Sequence, residues 1–116
     1  MRRGEVWWAV LPPPAGRRPV VLLTRDSVID KRASVTIAPI TRTARGISAE
    51  VGLDESDGMP VACVVNADDI VTVQKATLQT RITSLSAEKM EALSGAVVYA
   101  LDLEADLGLW PSAHLK

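Results

Sequence analysis

The sequence predicts a small, mainly β fold that ends in a helix. Six or seven short runs rich in β-branched residues, separated by Gly, Pro or Asp, occupy positions 5 to 83. This spacing is typical of a small barrel or a strongly curved sheet. The hydrophobic period then changes to that of a helix in the last third of the chain. With 116 residues, 47% of them hydrophobic, we expect one domain spanning residues 1–116.

The first three strands are bounded by clear signals. Alternation of Val6, Trp8 and Val10 with the residues at positions 5, 7 and 9 indicates a strand that stops at the prolines at positions 12–14. The unbroken Val-Val-Leu-Leu run from position 20 indicates a second strand buried on both faces. The predicted elements are strands at Glu5–Leu11, Arg18–Thr24 and Val35–Ile40, and a helical turn at Val28–Lys31 with Asp26 or Ser27 as its N-cap.

Shorter elements follow a polar, glycine-containing loop at Arg42–Ser48. They are predicted as strands at Ala49–Leu53, Val61–Val65 and Ile70–Val73, an extended piece at Arg81–Thr83, a turn at Asp54–Gly58 and a helical turn at Lys75–Leu78.

The C-terminal helix is predicted from its periodicity. Met90, Leu93, Val97 and Leu101 fall on one helical face, and Ser86 is a suitable N-cap, so the helix should run from about Ala87 to about Leu103. An irregular tail is expected at Asp106–Lys116, which contains glycine and proline.

Composition excludes several classes of protein. The single cysteine, Cys63, rules out an internal disulfide and a cysteine-based zinc site, and its apolar surroundings predict a buried thiol. No apolar run approaches the roughly 18 residues that a membrane helix needs, and no signal peptide is visible. We therefore expect a cytoplasmic protein without a membrane partner.

The net charge of −1 conceals an asymmetry along the chain. Residues 1–45 hold nine basic and three acidic side chains, whereas residues 46–116 hold four basic and eleven acidic ones. Such blocks favour one face that meets an anion, and a phosphate backbone is the commonest partner of an Arg-rich face. Two solvated surfaces with chance clustering are the alternative interpretation.

Arg18 and Thr41 are the candidate catalytic residues. Each is a polar residue at the boundary of a buried strand, Arg18 where the second begins and Thr41 where the third ends. A guanidinium fork stays charged and can stabilise a phosphate in its transition state, while a hydroxyl can orient it. RNA carries its own nucleophile, the 2′-hydroxyl beside each phosphate. The pair therefore favours an RNA-cleaving enzyme that needs no metal or other cofactor.

The general base is not identified by the sequence. Arginine does not readily lose a proton, so Arg18 is assigned charge stabilisation and possible proton donation to the leaving oxygen. The only histidine, His114, is in the tail, which excludes a two-histidine mechanism. The loop Pro12–Gly16 before the Arg-Pro strand contains no acidic residue.

The chain resembles the MazF/PemK family of bacterial toxins. The resemblance rests on Arg3-Gly4-Glu5-Val6 with Trp8, on Arg18-Pro19-Val20-Val21, on Ala38-Pro39-Ile40-Thr41, and on the segments leading into the late helix. It covers about residues 2–103. It implies an SH3-like, partly open β-barrel with a C-terminal helix, assembled as a homodimer. It further implies a metal-independent endoribonuclease for single-stranded RNA, often mRNA, and a cognate MazE-like antitoxin that covers the RNA groove. Carried over residue by residue, its catalytic pair is Arg18 and Thr41.

Further residues are candidates for contact with RNA, each with a structural alternative. Trp8 is expected to pack, and Trp7 to lie in the core, in an interface or against a base. Asp68 and Asp69 would repel phosphate, which favours a structural or base-edge role. The candidate RNA-binding residues are Arg17, Arg42, Arg45, Asn66, Asp69 and Arg81, and no residues are assigned to a metal.

Two other functions compete with the nuclease. A toxin of the same barrel type that binds DNA gyrase, without nuclease activity, is the first alternative; Trp110 gives it some support, but it has no need for Arg18 or Thr41. The second is an SH3-like binding module without catalysis, which the nearly neutral net charge favours.

Overall fold

The computed structural model describes residues 1–108. Within these residues the chain forms seven strands: β1 (Glu5–Val10), β2 (Arg17–Leu22), β3 (Ser34–Thr41), β4 (Glu50–Leu53), β5 (Cys63–Asn66), β6 (Val71–Gln74) and β7 (Leu78–Ser84). The helices are α1 (Asp26–Ile29), α2 (Ala87–Ala100) and α3 (Leu103–Leu107), with 3-10 turns at Glu55–Asp57, Ala67–Asp69 and Lys75–Thr77. His114, Trp110 and most of the tail expected to be irregular lie outside this range.

The strands form one antiparallel, open sheet in the order β4-β5-β3-β2-β1-β7, and β6 also pairs with β3. The long strand β3 pairs with β6 through residues 34–37 and with β5 through Ile40 and Thr41. β3 therefore has two different neighbours along one edge, β6 beside its first half and β5 beside its end. The sheet bends where one neighbour replaces the other. The predicted mainly β fold with a C-terminal helix is confirmed.

Hydrophobic residues are buried on both faces of β2. Val21 belongs to a cluster that includes Val6, Ala38 and Leu93 of α2. Its neighbours Val20 and Leu22 belong to a second cluster beneath α1. Alternate side chains of a strand point to opposite faces, so the Val-Val-Leu run is buried on both faces, as predicted, with one hydrophobic cluster on each side.

The C-terminal helix is shorter than predicted. α2 begins after Ser86, whose side chain accepts a hydrogen bond from Lys89 N, and ends at Ala100. Asp102 then has a positive φ of 55°, and a separate short helix, α3, follows. Leu101 is 54% exposed, so the predicted apolar face ends before it.

Other boundaries also differ from the predictions. The N-cap of α1 is Arg25, while Asp26 lies in the first turn and accepts a hydrogen bond from Arg3 N at 2.6 Å. β5 begins at Cys63, two residues later than predicted, and Val61 is exposed. β7 is seven residues long, since its pairing with β1 extends the piece expected at 81–83. Over residues 1–108, no helix has the length and apolar character to cross a bilayer.

Candidate functional site

The pairing of β2 with β3 brings Arg18 and Thr41 together. The two strands are in register at Val20 and Pro39, and the same register continued by two residues places Arg18 opposite Thr41. Arg18 and Thr41 each lie two residues beyond Val20–Pro39, the last observed pair of the two strands. The side chains of Arg18 and Thr41 line the same two adjoining cavities.

The larger cavity, of about 460 Å³, combines a cationic rim with an apolar wall. Its charged residues are Arg17, Arg18 and Arg42. The apolar wall consists of Trp8, Pro19, Ile40, Met59, Pro60, Val61 and Cys63. This combination suits a nucleotide, because phosphate requires cations and a base can pack on apolar and aromatic surfaces.

The smaller cavity, of about 130 Å³, is polar. Arg18, Thr41 and Thr43 are shared with the larger cavity. The other lining residues are Pro39, Arg45, Glu50, Asn66 and Asp69. The predicted pair therefore stands at the boundary between the two cavities.

Local hydrogen bonds hold the pair in place. Arg18 Nε donates to the carbonyl of Ala15, in the β1–β2 turn, at 3.0 Å. This bond uses the Nε hydrogen and fixes the side chain. The N–H groups of Nη1 and Nη2 are not part of it. Thr41 Oγ1 accepts from Thr43 N at 3.2 Å, which leaves the hydroxyl hydrogen available to a ligand.

Trp7 packs in the core, one of the positions predicted for it, whereas Trp8, which was expected to pack, lies at the larger cavity. Trp8 lines the larger cavity, and the guanidinium of Arg17 lies 4.2 Å from the centroid of its ring. Arg17 is also held by Gln79, which accepts from its Nε at 3.0 Å. Trp7 packs against the core cluster beneath α1 and donates to Glu5 from Nε1 at 3.0 Å.

Asn66 and Asp69 meet in the smaller cavity. Asn66 is 5% exposed; its Nδ2 donates to Asp69 Oδ2 and its Oδ1 accepts from Asp68 N, both at 2.9 Å. Asp68 lines neither cavity. Arg42 and Arg45 line the larger and the smaller cavity respectively.

Arg81 is separated from the other candidates. It lies on β7 opposite Trp7, donates to Ser84 Oγ at 2.6 Å and is 3.5 Å from Glu5 Oε2. It lines neither cavity, so the structure does not bring it to the predicted pair.

The basic residues of the first 45 positions do not form one face. Arg17, Arg18, Arg42 and Arg45 line the cavities at one end of the β2–β3 hairpin. Arg25, Lys31 and Arg32 lie in or beside α1, which connects the opposite ends of the same strands. Only the first group accompanies the candidate catalytic pair.

Cys63 is a buried thiol at the wall of the larger cavity, 8% exposed. Burial raises the pKa of this thiol, and the nearby carboxylates of Asp57 and Asp54 raise it further. In residues 1–108, no three His, Cys, Asp or Glu side chains are grouped as they would be around a metal ion.

Thr43, Glu50 and the segment 59–61 also line the cavities, although their sequence pattern did not indicate a site. Thr43 lies in the loop that follows β3, Glu50 is the first residue of β4 after that loop, and residues 59–61 follow the turn at Gly58. Their contributions depend on how the loops fold over the sheet. The feature of the sequence that could have indicated Thr43 is its position only two residues after Thr41.

Known proteins are similar to this chain over most of its length. Residues 2–101 match the family of PemK-like, MazF-like toxins of type II toxin–antitoxin systems. The probable endoribonuclease MazF2 of Mycobacterium tuberculosis is 43% identical over 91 residues, covering 78% of this chain and 87% of the relative. The probable endoribonuclease MazF5 of that organism is 41% identical over 101 residues, covering 86% and 92%.

Solved structures match as well. The M. tuberculosis toxin MazF-mt6 has a TM-score of 0.78 and 36% identity, covering 84% of this chain and 96% of that one. A mycobacterial endoribonuclease in complex with its cognate antitoxin has a TM-score of 0.81 and 26% identity, covering 96% and 99%. With a family match that spans residues 2–101, this chain belongs to the PemK-like, MazF-like toxins of type II toxin–antitoxin systems.

Proposed function

We propose that this toxin is an endoribonuclease that cleaves single-stranded RNA, mRNA foremost, at short sequences and without a metal ion. The observation that carries the proposal is the position of Arg18 and Thr41, which line both cavities at their boundary. The endoribonuclease names of the relatives support it, and none of those reported above is named as a gyrase inhibitor. Its place of action is the cytoplasm, where RNA is available and Cys63 stays reduced.

The reaction proceeds by attack of the RNA's own 2′-hydroxyl on the adjacent phosphorus. The new O–P bond forms as the bond to the 5′-oxygen of the next nucleotide breaks. The 2′-hydroxyl gives its proton to water and the departing 5′-oxygen takes one from water, which leaves a 2′,3′-cyclic phosphate and a 5′-hydroxyl. The guanidinium of Arg18 stabilises negative charge that accumulates on the non-bridging oxygens. Thr41 donates its hydroxyl hydrogen to one of those oxygens and fixes the orientation of the phosphate.

The flanking nucleotides occupy the two cavities. Arg17 and Arg42 bind phosphates at the rim of the larger cavity, while the apolar wall beside Trp8 receives a base. Arg45 binds phosphate at the smaller cavity. Asn66 and Asp69 line that cavity too, and they contact base edges there, since a carboxylate repels phosphate.

A cognate, MazE-like antitoxin neutralises the toxin by covering the same cavities. Solved relatives include an endoribonuclease bound to its cognate antitoxin. A peptide segment with acidic and apolar side chains complements the arginine rim and the apolar wall described here. The toxin itself acts as a homodimer, which size-exclusion chromatography with light scattering tests as twice the chain mass of 12.4 kDa.

The test is cleavage of a long RNA by the purified protein in EDTA. We expect cleavage by the wild type, a loss of about 10²–10³-fold in Arg18→Ala, and a smaller loss in Thr41→Ala. Arg25→Ala and Thr80→Ala are matched controls, because both residues are exposed and line neither cavity. Intact RNA together with inhibited DNA supercoiling by gyrase would replace this proposal with the gyrase alternative. Intact RNA without gyrase inhibition would leave a binding module.

A further inference from the structure

The loop between β3 and β4 brings Arg42, Thr43 and Arg45 to the cavities without any core of its own. Every residue from 42 to 48 is exposed. Hydrophobic packing therefore does not fix the path of this loop, and its hydrogen bonds must do so.

One carboxylate provides most of those bonds. Glu50 Oε1 accepts from Arg45 N and Gly46 N, both at 2.9 Å, and more weakly from Ile47 N at 3.5 Å. Glu50 Oε2 accepts from Arg45 N at 3.1 Å. Gly46 has a φ of +70°, a left-handed conformation that turns successive backbone N–H groups toward one anion.

The carboxylate is attached to a fixed part of the sheet. Glu50 is the first residue of β4 and pairs with Asn66 of β5. The next residue, Val51, is buried in the core cluster that also contains Val6 and Leu93. Glu50 therefore joins the exposed loop to a rigid strand at the wall of the smaller cavity.

We propose that Glu50 is a positioning residue that holds the loop 42–48 in its RNA-binding conformation. This inference rests on the proposed function of the site. The carboxylate acts through the backbone of Arg45 and Gly46, and its own negative charge opposes RNA binding. The two effects have opposite signs, so substitutions can separate them.

Glu50→Gln and Glu50→Asp make the distinction. Glutamine retains the length of the side chain and one acceptor oxygen but loses the charge, whereas aspartate retains the charge but is one methylene too short to reach the loop. We expect Glu50→Asp to raise KM for RNA by about tenfold with a much smaller change in kcat, and Glu50→Gln to stay within about threefold of wild type. Glu91→Ala, on the exposed side of α2, is the matched control.

Two readouts test the proposal. The first is kcat and KM on a labelled RNA that spans one cleavage site mapped in EDTA. The second is amide hydrogen exchange at Arg45 and Gly46, which should accelerate by about tenfold or more in Glu50→Asp and remain slow in Glu50→Gln. Exchange does not depend on cleavage, so failure of this inference is distinguishable from failure of the proposed function.

Three results would overturn the inference. Unchanged exchange at Arg45 and Gly46 in Glu50→Asp would show that the loop is held by other contacts. A lower KM in Glu50→Gln with wild-type KM in Glu50→Asp would reduce Glu50 to a repulsive charge. Loss of kcat in Glu50→Gln at unchanged KM would make Glu50 a candidate general base. If Glu50→Asp does not fold by thermal melting, Glu50→Ala replaces it with the same expected results.

Discussion

At the scale of single residues, Cys63 is a sensitive reporter of the larger cavity. It is 8% exposed at the cavity wall, and burial keeps the pKa of its thiol above the ordinary value. Alkylation requires the thiolate, so both accessibility and protonation oppose it. We predict that iodoacetamide at pH 8 modifies Cys63 in the folded protein at least about tenfold more slowly than in denaturant.

Mass spectrometry of the modified protein measures this rate. RNA or antitoxin bound in the larger cavity should slow the reaction further, whereas a ligand bound elsewhere should leave the rate unchanged. Equal rates in the folded and the denatured protein would show that Cys63 is not buried as described.

Side-chain roles were harder to predict than residue positions. Arg18 and Thr41 were selected because each is polar at the end of a buried strand, and strand register then places them together. Trp7 lies in the core, one of its predicted positions, but the position of Trp8 at the cavity was not predicted, because alternation shows only that the two rings face opposite sides. Which side is the cavity depends on the segment 59–61, which comes from a distant part of the chain.

At the scale of elements, the turn between β4 and β5 forms one wall of the larger cavity. Asp54 and Asp57 cap its 3-10 helix reciprocally, and the hydroxyl and N–H of Ser56 lower the pKa of Asp54. Because the folded state favours the carboxylate, this stabilisation is present at neutral pH. It is lost as the pH falls below the ordinary pKa of an aspartate and through the lowered one. The turn ends at Gly58 and leads directly to Met59, Pro60 and Val61 of the wall.

Gly58→Ala should disrupt this turn. Gly58 has a φ of +90°, and an added Cβ would lie 2.9 Å from Thr83 Cβ and closer still to Thr83 Oγ1. The left-handed conformation and the overlap together should reduce the free energy of unfolding by about 2–4 kcal/mol. RNA binding should weaken as well, because the displaced segment forms the cavity wall.

Urea denaturation checks this expectation, with Gly52→Ala as the matched control. Gly52 lies on β4, and a Cβ there meets nothing within 4 Å. Equal stability of the two variants would contradict the role assigned to the turn.

The lengths of elements depended on tertiary pairing. β7 reaches seven residues because it pairs with β1, although its own sequence indicated only three. α2 ends at Ala100 because its buried face ends there, and Leu101 is exposed although it continues the helical spacing. Periodicity thus predicted the kind of element, and packing decided its extent.

At the scale of the whole molecule, the basic residues of the first 45 positions form separate groups in space, although the sequence suggests a single block. Arg17, Arg18, Arg42 and Arg45 surround the cavities, while the basic residues near α1 lie at the other end of the β2–β3 hairpin. For single strands, each phosphate contact contributes about −0.7 to the slope of log affinity against log salt. If all four arginines contact phosphate, we predict that a plot of log association constant against log salt concentration has a slope of about −3.

Fluorescence anisotropy of a labelled single-stranded RNA across a salt series measures this slope. Arg42→Ala and Arg45→Ala should each make the slope shallower by about 0.7, whereas Arg32→Ala near α1 should not change it. An equal change in all three variants would mean that RNA contacts both basic groups.

The family, the mainly β fold and the toxin endoribonuclease class followed from the sequence because strand order and the two short motifs at Arg18 and Thr41 are local features. The division of the site into two cavities and the role of Glu50 did not, since both arise where loops from separate parts of the chain meet. The distribution of charge in space likewise required the positions of the strand ends.

The central claim is that Arg18 and Thr41 act on the same phosphate. A double-mutant cycle on kcat for RNA cleavage tests it most directly, with wild type, Arg18→Ala, Thr41→Ala and the double variant. If both side chains stabilise one transition-state phosphate, the double variant should be no more than about threefold slower than Arg18→Ala alone. A double variant whose loss equals the product of the two single losses would contradict the claim, because the residues would then act independently.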